Sequence, residues 1–128
     1  MKLNFNQVAS LLEVFNELQT VKVPFKLGLI LAKNTALLKQ EEEFYIERER
    51  EFARTYLEVN EETGEFVTQG EGIYKIKENM EEECRTAREA LNEFECDVDL
   101  RMIPVALIEN MEFTPAQLGA LECVIEEE

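Results

Sequence analysis

The chain has 128 residues, of which 45% are hydrophobic and 32% are charged, and its formal net charge at pH 7 is −15. This hydrophobic content excludes a disordered acidic tail, and the length predicts a single domain over residues 1–128 with one modest core. The negative charge repels phosphates and anionic lipids, so we expect neither direct nucleic acid binding nor membrane binding.

The charge is unevenly distributed along the chain. Residues 1–40 contain five lysines and two glutamates, whereas residues 41–128 contain eight basic and twenty-six acidic residues. An acidic surface of this strength steers encounters with basic partners, most strongly at low salt. The sequence therefore predicts a protein partner that presents a basic surface.

Residues 1–22 are predicted to form a short strand followed by an amphipathic helix. Alternation at Lys2–Phe5 is typical of a strand, and Asn4 or Asn6 is suited to cap the helix that follows. The expected buried stripe of this helix, at helical spacing, is Val8, Leu11, Leu12, Phe15 and Leu18.

A long helix is predicted over residues 24–57. Pro24 suits a first helical turn, no other proline occurs before Leu57, and Gly28 is the only glycine in the segment. Apolar residues recur at a spacing close to seven, which predicts packing along another helix. They are Ile30, Leu31, Leu37, Leu38, Phe44, Tyr45, Phe52 and Tyr56.

A β-hairpin is predicted over residues 58–77 and a second helix over residues 78–95. The turn residues Asn60 and Gly64 and the closely spaced Gly70 and Gly72 favour tight turns between short strands. The second helix carries a narrow apolar stripe, formed by Met80, Cys84, Ala87, Leu91 and Phe94.

Residues 96–128 are predicted to form a strand and short C-terminal helices. The strand alternates between apolar Cys96, Val98 and Leu100 and acidic Asp97 and Asp99, and it ends at Pro104. A helical turn is expected at residues 105–109, and a capping box of Thr114 and Gln117 opens the last helix. Its expected buried side is Leu118, Leu121, Val124 and Ile125.

These elements define the predicted fold class, a mostly helical α+β protein. A long antiparallel helical hairpin carries the β-hairpin at its tip, and short strands and helices from both termini form a base.

Residues that commonly carry catalysis are scarce in this sequence. It contains no histidine and a single serine, Ser10, which is not in a nucleophile motif. Cys84, Cys96 and Cys123 form no CxxC pair, and we expect them to be reduced and structural. We therefore predict no enzymatic activity, no catalytic residue and no cofactor. Asp97 and Asp99 stay open as a divalent-ion site, although a solvent-facing strand edge is the favoured interpretation.

Glutamates on the two helices of the hairpin are the candidate binding residues. The densest run is EEEFYIERERE, over residues 41–51. Such a run is either a solvated helix face or a surface for a basic partner. The predicted partner-binding residues are Glu41, Glu42, Glu43, Glu47, Glu49, Glu81, Glu82 and Glu89.

Three segments together carry a resemblance to a known family: VPFKLGLILAKNTALLKQEEEFYIERE, NEETGE with GIYKIK, and CDVDLRMIPVALIENMEFTPAQLGALE. They are similar to small proteins of unknown function from tailed phages and prophages of Gram-positive bacteria. The resemblance implies expression in the host bacterial cytoplasm during infection.

The predicted function is that of a phage-encoded acidic interaction protein that binds a host or phage protein. Inhibition of a host defence or nucleic-acid-handling factor is its specific form. The alternative is a virion or tail-assembly component or an assembly chaperone, and the heptad-like seam also predicts a homo-oligomer.

Overall fold

The computed structural model describes residues 1–70 and 72–126, and it is mostly helical with short strands, as predicted. The residues form two compact units. Unit 1 consists of Met1–Glu43 and Glu95–Glu128, and unit 2 consists of Phe44–Phe94. Across the described ranges, none of the helices combines the length and the apolar character needed to cross a bilayer.

The helices and strands occur in the predicted order. The helices are α1 (Phe5–Leu18), α2 (Phe25–Tyr56), α3 (Glu81–Glu93) and α4 (Pro115–Leu121). The strands are β1 (Lys2–Leu3), β2 (Thr68–Gly70), β3 (Ile73–Tyr74), β4 (Cys96–Asp97), β5 (Ile103–Pro104) and β6 (Ile125–Glu126). Two 3-10 turns, Val105–Leu107 and Glu122–Val124, follow β5 and α4.

Helix α1 begins at a capping box. The side chain of Asn4 accepts a hydrogen bond from the backbone N–H of Gln7, and the Gln7 side chain accepts one from the backbone N–H of Asn4, both at 2.9 Å. These bonds satisfy two donors that a helix start otherwise leaves unpaired. The five residues of the predicted stripe are all buried, and Val14 is buried beside them.

Helix α2 contains 32 residues and therefore extends about 48 Å at about 1.5 Å per residue. Leu31, Leu38 and Tyr45 are buried, which confirms the seven-residue spacing of the predicted seam. The apolar residues that precede them in sequence are less buried: Ile30 and Leu37 are half-buried, and Phe44 remains 39% exposed.

Two small sheets lie in unit 1. Strands β1 and β4 pair antiparallel, and β5 and β6 pair in parallel. The predicted alternation after α3 is confirmed, since Cys96, Val98 and Leu100 are buried while Asp97 and Asp99 are exposed.

The C-terminal helix is shorter than predicted. The Thr114 and Gln117 capping box is present, but α4 ends at Leu121. Leu121 and Val124 are buried, whereas Leu118 is 45% exposed, so its predicted burial is wrong. The 3-10 turn that follows α4 places Val124 one turn after Leu121, on the same buried side.

Unit 2 is an antiparallel helical pair closed by a small sheet. Arg88 of α3 contacts Glu49 of α2, and the Tyr45 hydroxyl of α2 donates to the carbonyl of Phe94, just after α3, at 3.0 Å. Residue numbers therefore rise along α2 as they fall along α3, so the two helices are antiparallel. The connecting chain forms the predicted hairpin of β2 and β3, with a register irregularity beside Gly70.

Three backbone segments of this connection bond to one another in a closed cycle. Glu58 N–H donates to the Lys75 carbonyl, Lys75 N–H donates to Val67, and Val67 N–H donates to Glu58, all within 2.8–2.9 Å. The turn between the segments of Glu58 and Val67 depends on Gly64, whose φ of 73° is unfavourable for residues with a side chain.

Candidate functional site

The predicted binding glutamates are divided between the two units. Glu41, Glu42 and Glu43 belong to unit 1, where the first two are half-buried and the third is exposed. The other five belong to unit 2, and only Glu49 among them is half-buried. Those five are Glu47, Glu49, Glu81, Glu82 and Glu89.

Two of the three carboxylates on the unit 2 part of α2 are paired with arginines of the same helix. Glu47 lies 3.6 Å from Arg50 and 3.7 Å from Arg54, and Glu51 lies 3.0 Å from Arg48. Exposed pairs of this kind contribute little to stability, on the order of 0.2–1 kcal/mol. Their effect on recognition is larger, because each arginine neutralises a charge that a basic partner would otherwise meet.

Glu49 forms a two-point ion pair with Arg88 of α3. Arg88 Nη1 and Nη2 donate to the two carboxylate oxygens of Glu49 at 2.8 and 2.5 Å, and the guanidinium lies 4.7 Å from the ring centre of Phe52. The hydrogen bond from Arg88, assisted by its charge and opposed by burial, lowers the pKa of Glu49. Glu49 therefore contributes to the packing of the two helices.

Arg88 is a residue that the sequence analysis missed. A signal was present, since Arg88 lies four residues after buried Cys84 and three before half-buried Leu91, within the stripe that faces α2. A long arginine side chain can bury its stem there and pair its charged end with an opposing carboxylate.

Helix α3 presents a row of glutamates with no ion pair among the residues that the structure describes. Glu82, Glu89 and Glu93 are all exposed. Their spacing of seven and four residues places them on one face, about 10 and 6 Å apart along the helix axis. Glu81 and Glu83 lie in the first turn of α3, where negative charge also stabilises the helix dipole.

The cysteines and the aspartates of β4 and its flank are the remaining candidates for reactive or metal-binding groups. All three cysteines are free, and Cys96 Sγ lies 3.4 Å from the Leu3 carbonyl oxygen. Asp97 lies 3.1 Å from the amino group of Met1, and Asp99 is exposed. Within residues 1–70 and 72–126, no group of three His, Cys, Asp or Glu side chains could hold a metal ion.

Among the described residues of unit 1, two open grooves are larger than a third beside Leu118 and Ile125. One, of about 850 Å³, lies between α1 and α4, where Gln117 bonds to Glu17. The other, of about 440 Å³, lies between the end of α1 and the first turns of α2. Its lining includes Phe15, Leu18, Val21, Val23, Leu31 and Lys39, and we call it the lysine groove.

Comparison with protein-family models, with curated proteins and with solved structures found no match to this chain. The resemblance to phage proteins therefore stays a prediction, and the function must be argued from the surface chemistry of the two units.

Proposed function

We propose that this protein is a non-enzymatic binding protein whose α3 glutamates engage a basic surface on a protein partner. The supporting observation is the row formed by Glu82, Glu89 and Glu93, which is exposed and lacks an ion pair among the described residues. Glu47, Glu49 and Glu51 on α2 are by contrast matched with arginines. The binding surface is accordingly centred on α3.

The row on α3 fits a partner that ordinarily binds nucleic acid. A row of negative charges on a rigid support resembles a phosphate backbone, and basic grooves are selected by complementary potential. The specific function is inhibition of a host defence or nucleic-acid-handling factor in the bacterial cytoplasm. This specific form depends on the phage resemblance, whereas the binding of a basic protein surface depends on the charges of α3 alone.

Reversal of two charges in the row tests this proposal. Tagged wild-type protein and the variant Glu89→Lys/Glu93→Lys are used to capture proteins from a lysate of the lysogenic or infected host at low salt. We expect the wild type to retain a basic protein that double-stranded DNA elutes, and the variant to lose it. A rise in salt to about 1 M should also release it, because charge interactions are screened.

The matched control is Glu109→Lys/Glu112→Lys, which makes the same change in net charge at two exposed positions of unit 1. It should retain the captured protein. Equal loss in the two variants would mean that net charge alone matters, and equal retention would mean that α3 is not the binding surface. Either result contradicts the proposal.

A second candidate function, a virion or tail-assembly component or assembly chaperone, is favoured by a different observation. Several large apolar side chains are exposed, among them Phe25, Ile73 and Tyr74. Exposed apolar patches are typical of proteins that bind other subunits. Mass spectrometry of purified virions separates a virion component from an inhibitor, since the component is present in stoichiometric amount and the inhibitor is absent.

A further inference from the structure

The lysine groove is apolar inside and basic at its margin. Phe15, Leu18 and Leu31 form its buried wall, while Val21 is exposed at its mouth. Its volume of about 440 Å³ lies within the usual range of side-chain and ligand pockets, roughly 300–1,000 Å³. It is therefore large enough to receive aromatic side chains.

The segment that supplies most of the groove lining, residues 18–40, carries a net positive charge, and its Lys39 lines the groove. No acidic residue occurs between Leu18 and Gln40, and the four lysines of that segment are all exposed. They are Lys22, Lys26, Lys33 and Lys39. In a protein of net charge −15, this segment is a local basic surface, and it is suited to an occupant that is both apolar and acidic.

Helix α2 extends the apolar surface beyond the groove. Phe25 is 81% exposed, and Leu29, Ala32 and Ala36 follow it at spacings of four, three and four residues, which puts all four on one face. Ala32 and Ala36 also line the groove, so the helix face and the groove are continuous.

Unit 2 carries a surface that is both apolar and acidic and therefore complements the lysine groove. Val59 pairs directly with Phe66, and the rings of Phe66 and Tyr74 lie 5.9 Å apart, so these three exposed side chains share one face of the small sheet. We call this the tip face. It adjoins the turn that holds Glu61, Glu62 and Glu65, all of them exposed.

We propose that the lysine groove of one copy of this chain receives the tip face of a second copy. Aromatic side chains of the tip face enter the apolar groove, and the turn glutamates lie against its lysines. One interaction thereby covers two exposed apolar surfaces that no other described contact explains. The interface is heterologous, since the two copies contribute different surfaces.

The large net charge sets the conditions under which this association occurs. Two copies of charge −15 repel one another at low salt, where the screening length is about 30 Å at 0.01 M. At physiological salt the length falls to about 8 Å, so distant repulsion is screened while the pairs in contact persist. Association should therefore be stronger near 0.15 M than near 0.01 M salt.

Sedimentation velocity over a concentration series tests the proposal on the purified full chain. We expect the weight-average mass to rise above that of the 14.9 kDa monomer. The groove variant Lys22→Glu/Lys39→Glu and the tip variant Glu61→Lys/Glu62→Lys should each raise the dissociation constant at least about tenfold, because like charges then meet. An equimolar mixture of the two variants should associate again, since each groove then faces a tip of opposite charge.

Two further variants keep the experiment decisive. Lys2→Glu/Arg101→Glu changes the net charge as the groove variant does, at exposed positions outside the groove lining, and it should associate as the wild type does. Tyr74→Ser removes apolar area from the tip face without any change of charge and should weaken association. Circular dichroism confirms that every variant is folded.

Several outcomes would overturn the proposal. A monomeric wild type throughout the concentration series would do so, as would association that neither charge variant weakens or that their mixture does not restore. A binding assay with phosphatidylserine vesicles tests whether the groove serves a membrane. If they bind monomeric protein through Phe25, the basic and apolar surface serves a lipid membrane instead. Because purified protein alone is used, these results are independent of the α3 capture experiment.

Discussion

The side-chain amide of Asn34 is paired with the backbone of Arg101 through two hydrogen bonds. Asn34 Nδ2 donates to the Arg101 carbonyl at 2.9 Å, and the Arg101 N–H donates to Asn34 Oδ1 at 2.8 Å. Asn34 is fully buried in α2, and its amide gives the segment after β4 the backbone partners that a neighbouring strand would otherwise supply.

Replacement of Asn34 should therefore be costly. Asn34→Ala leaves a backbone donor and acceptor of Arg101 without partners, and we expect the free energy of unfolding to fall by about 2–3 kcal/mol. Urea denaturation measures the change. Lys33→Ala, at the exposed neighbouring position, is the control and should stay within about 0.5 kcal/mol of wild type. An equally small effect for Asn34→Ala would show that water replaces the amide.

The ion pair between Glu49 and Arg88 should make stability depend on pH. Because the folded state lowers the pKa of Glu49, the pair stabilises the protein above the ordinary pKa of glutamate, and the contribution is lost as pH falls through the lowered value. Glu49→Gln should cost about 0.5–1 kcal/mol at pH 7, since the pair is partly exposed. That cost should shrink as pH falls below the ordinary pKa of glutamate, about 4.3, and should vanish below the lowered pKa of Glu49.

Urea midpoints of wild type and Glu49→Gln, measured across this pH range, provide the test. Glu109→Gln serves as the matched control, because Glu109 is exposed and forms no ion pair among the described residues. A cost for Glu49→Gln that does not change with pH would contradict the assignment of the pH dependence to this carboxylate.

Two glycines should respond to alanine in opposite directions. Gly119 lies inside α4 and Gly64 has a φ of 73°, and a Cβ at either would meet nothing within 4 Å. Gly119→Ala should stabilise the protein by about 0.5–1 kcal/mol through the helix propensity of alanine. Gly64→Ala should destabilise it by about 1 kcal/mol, because a left-handed conformation disfavours a side chain. Thermal denaturation of both variants shows whether each substitution raises or lowers the melting temperature.

The three cysteines should differ in reactivity towards thiol reagents. Cys123 is exposed, whereas Cys84 and Cys96 are buried, so a chromogenic disulfide reagent should titrate one thiol in the folded protein and three in denaturant. Partial burial of the sulfur raises the pKa of Cys123, which lowers its thiolate fraction. The single accessible thiol should therefore react more slowly at pH 7 than a free cysteine does. Rapid titration of two or three thiols in the folded protein would contradict this burial pattern.

The helices could be predicted because their sequence signals are long and local. The stripe of α1 repeats over eleven residues, and the capping boxes at Asn4 and Thr114 each need only four consecutive residues. The strands were harder, since each sheet strand has two or three residues and no measurable period. The parallel pairing of β5 with β6 was missed for this reason.

The contacts that position the binding residues could not be predicted from periodicity. Asn34 and Arg101 are 67 residues apart, and Glu49 and Arg88 are 39 apart. Either glutamate or arginine could face solvent on an isolated helix, and only the packing of α2 against α3 within unit 2 selects these two. The acidic helices could therefore be predicted from the sequence, whereas paired carboxylates could not be told apart from exposed ones.

The cycle of hydrogen bonds through Glu58, Val67 and Lys75 has a consequence for aggregation. Each of these three residues donates its backbone N–H to one of the other two and accepts a hydrogen bond at its C=O from the remaining one, as in a miniature closed barrel. An incoming polypeptide finds no vacant backbone position there to extend into a fibril. Edge-to-edge pairing of two copies is thus blocked at these three residues, next to the rings of Phe66 and Tyr74.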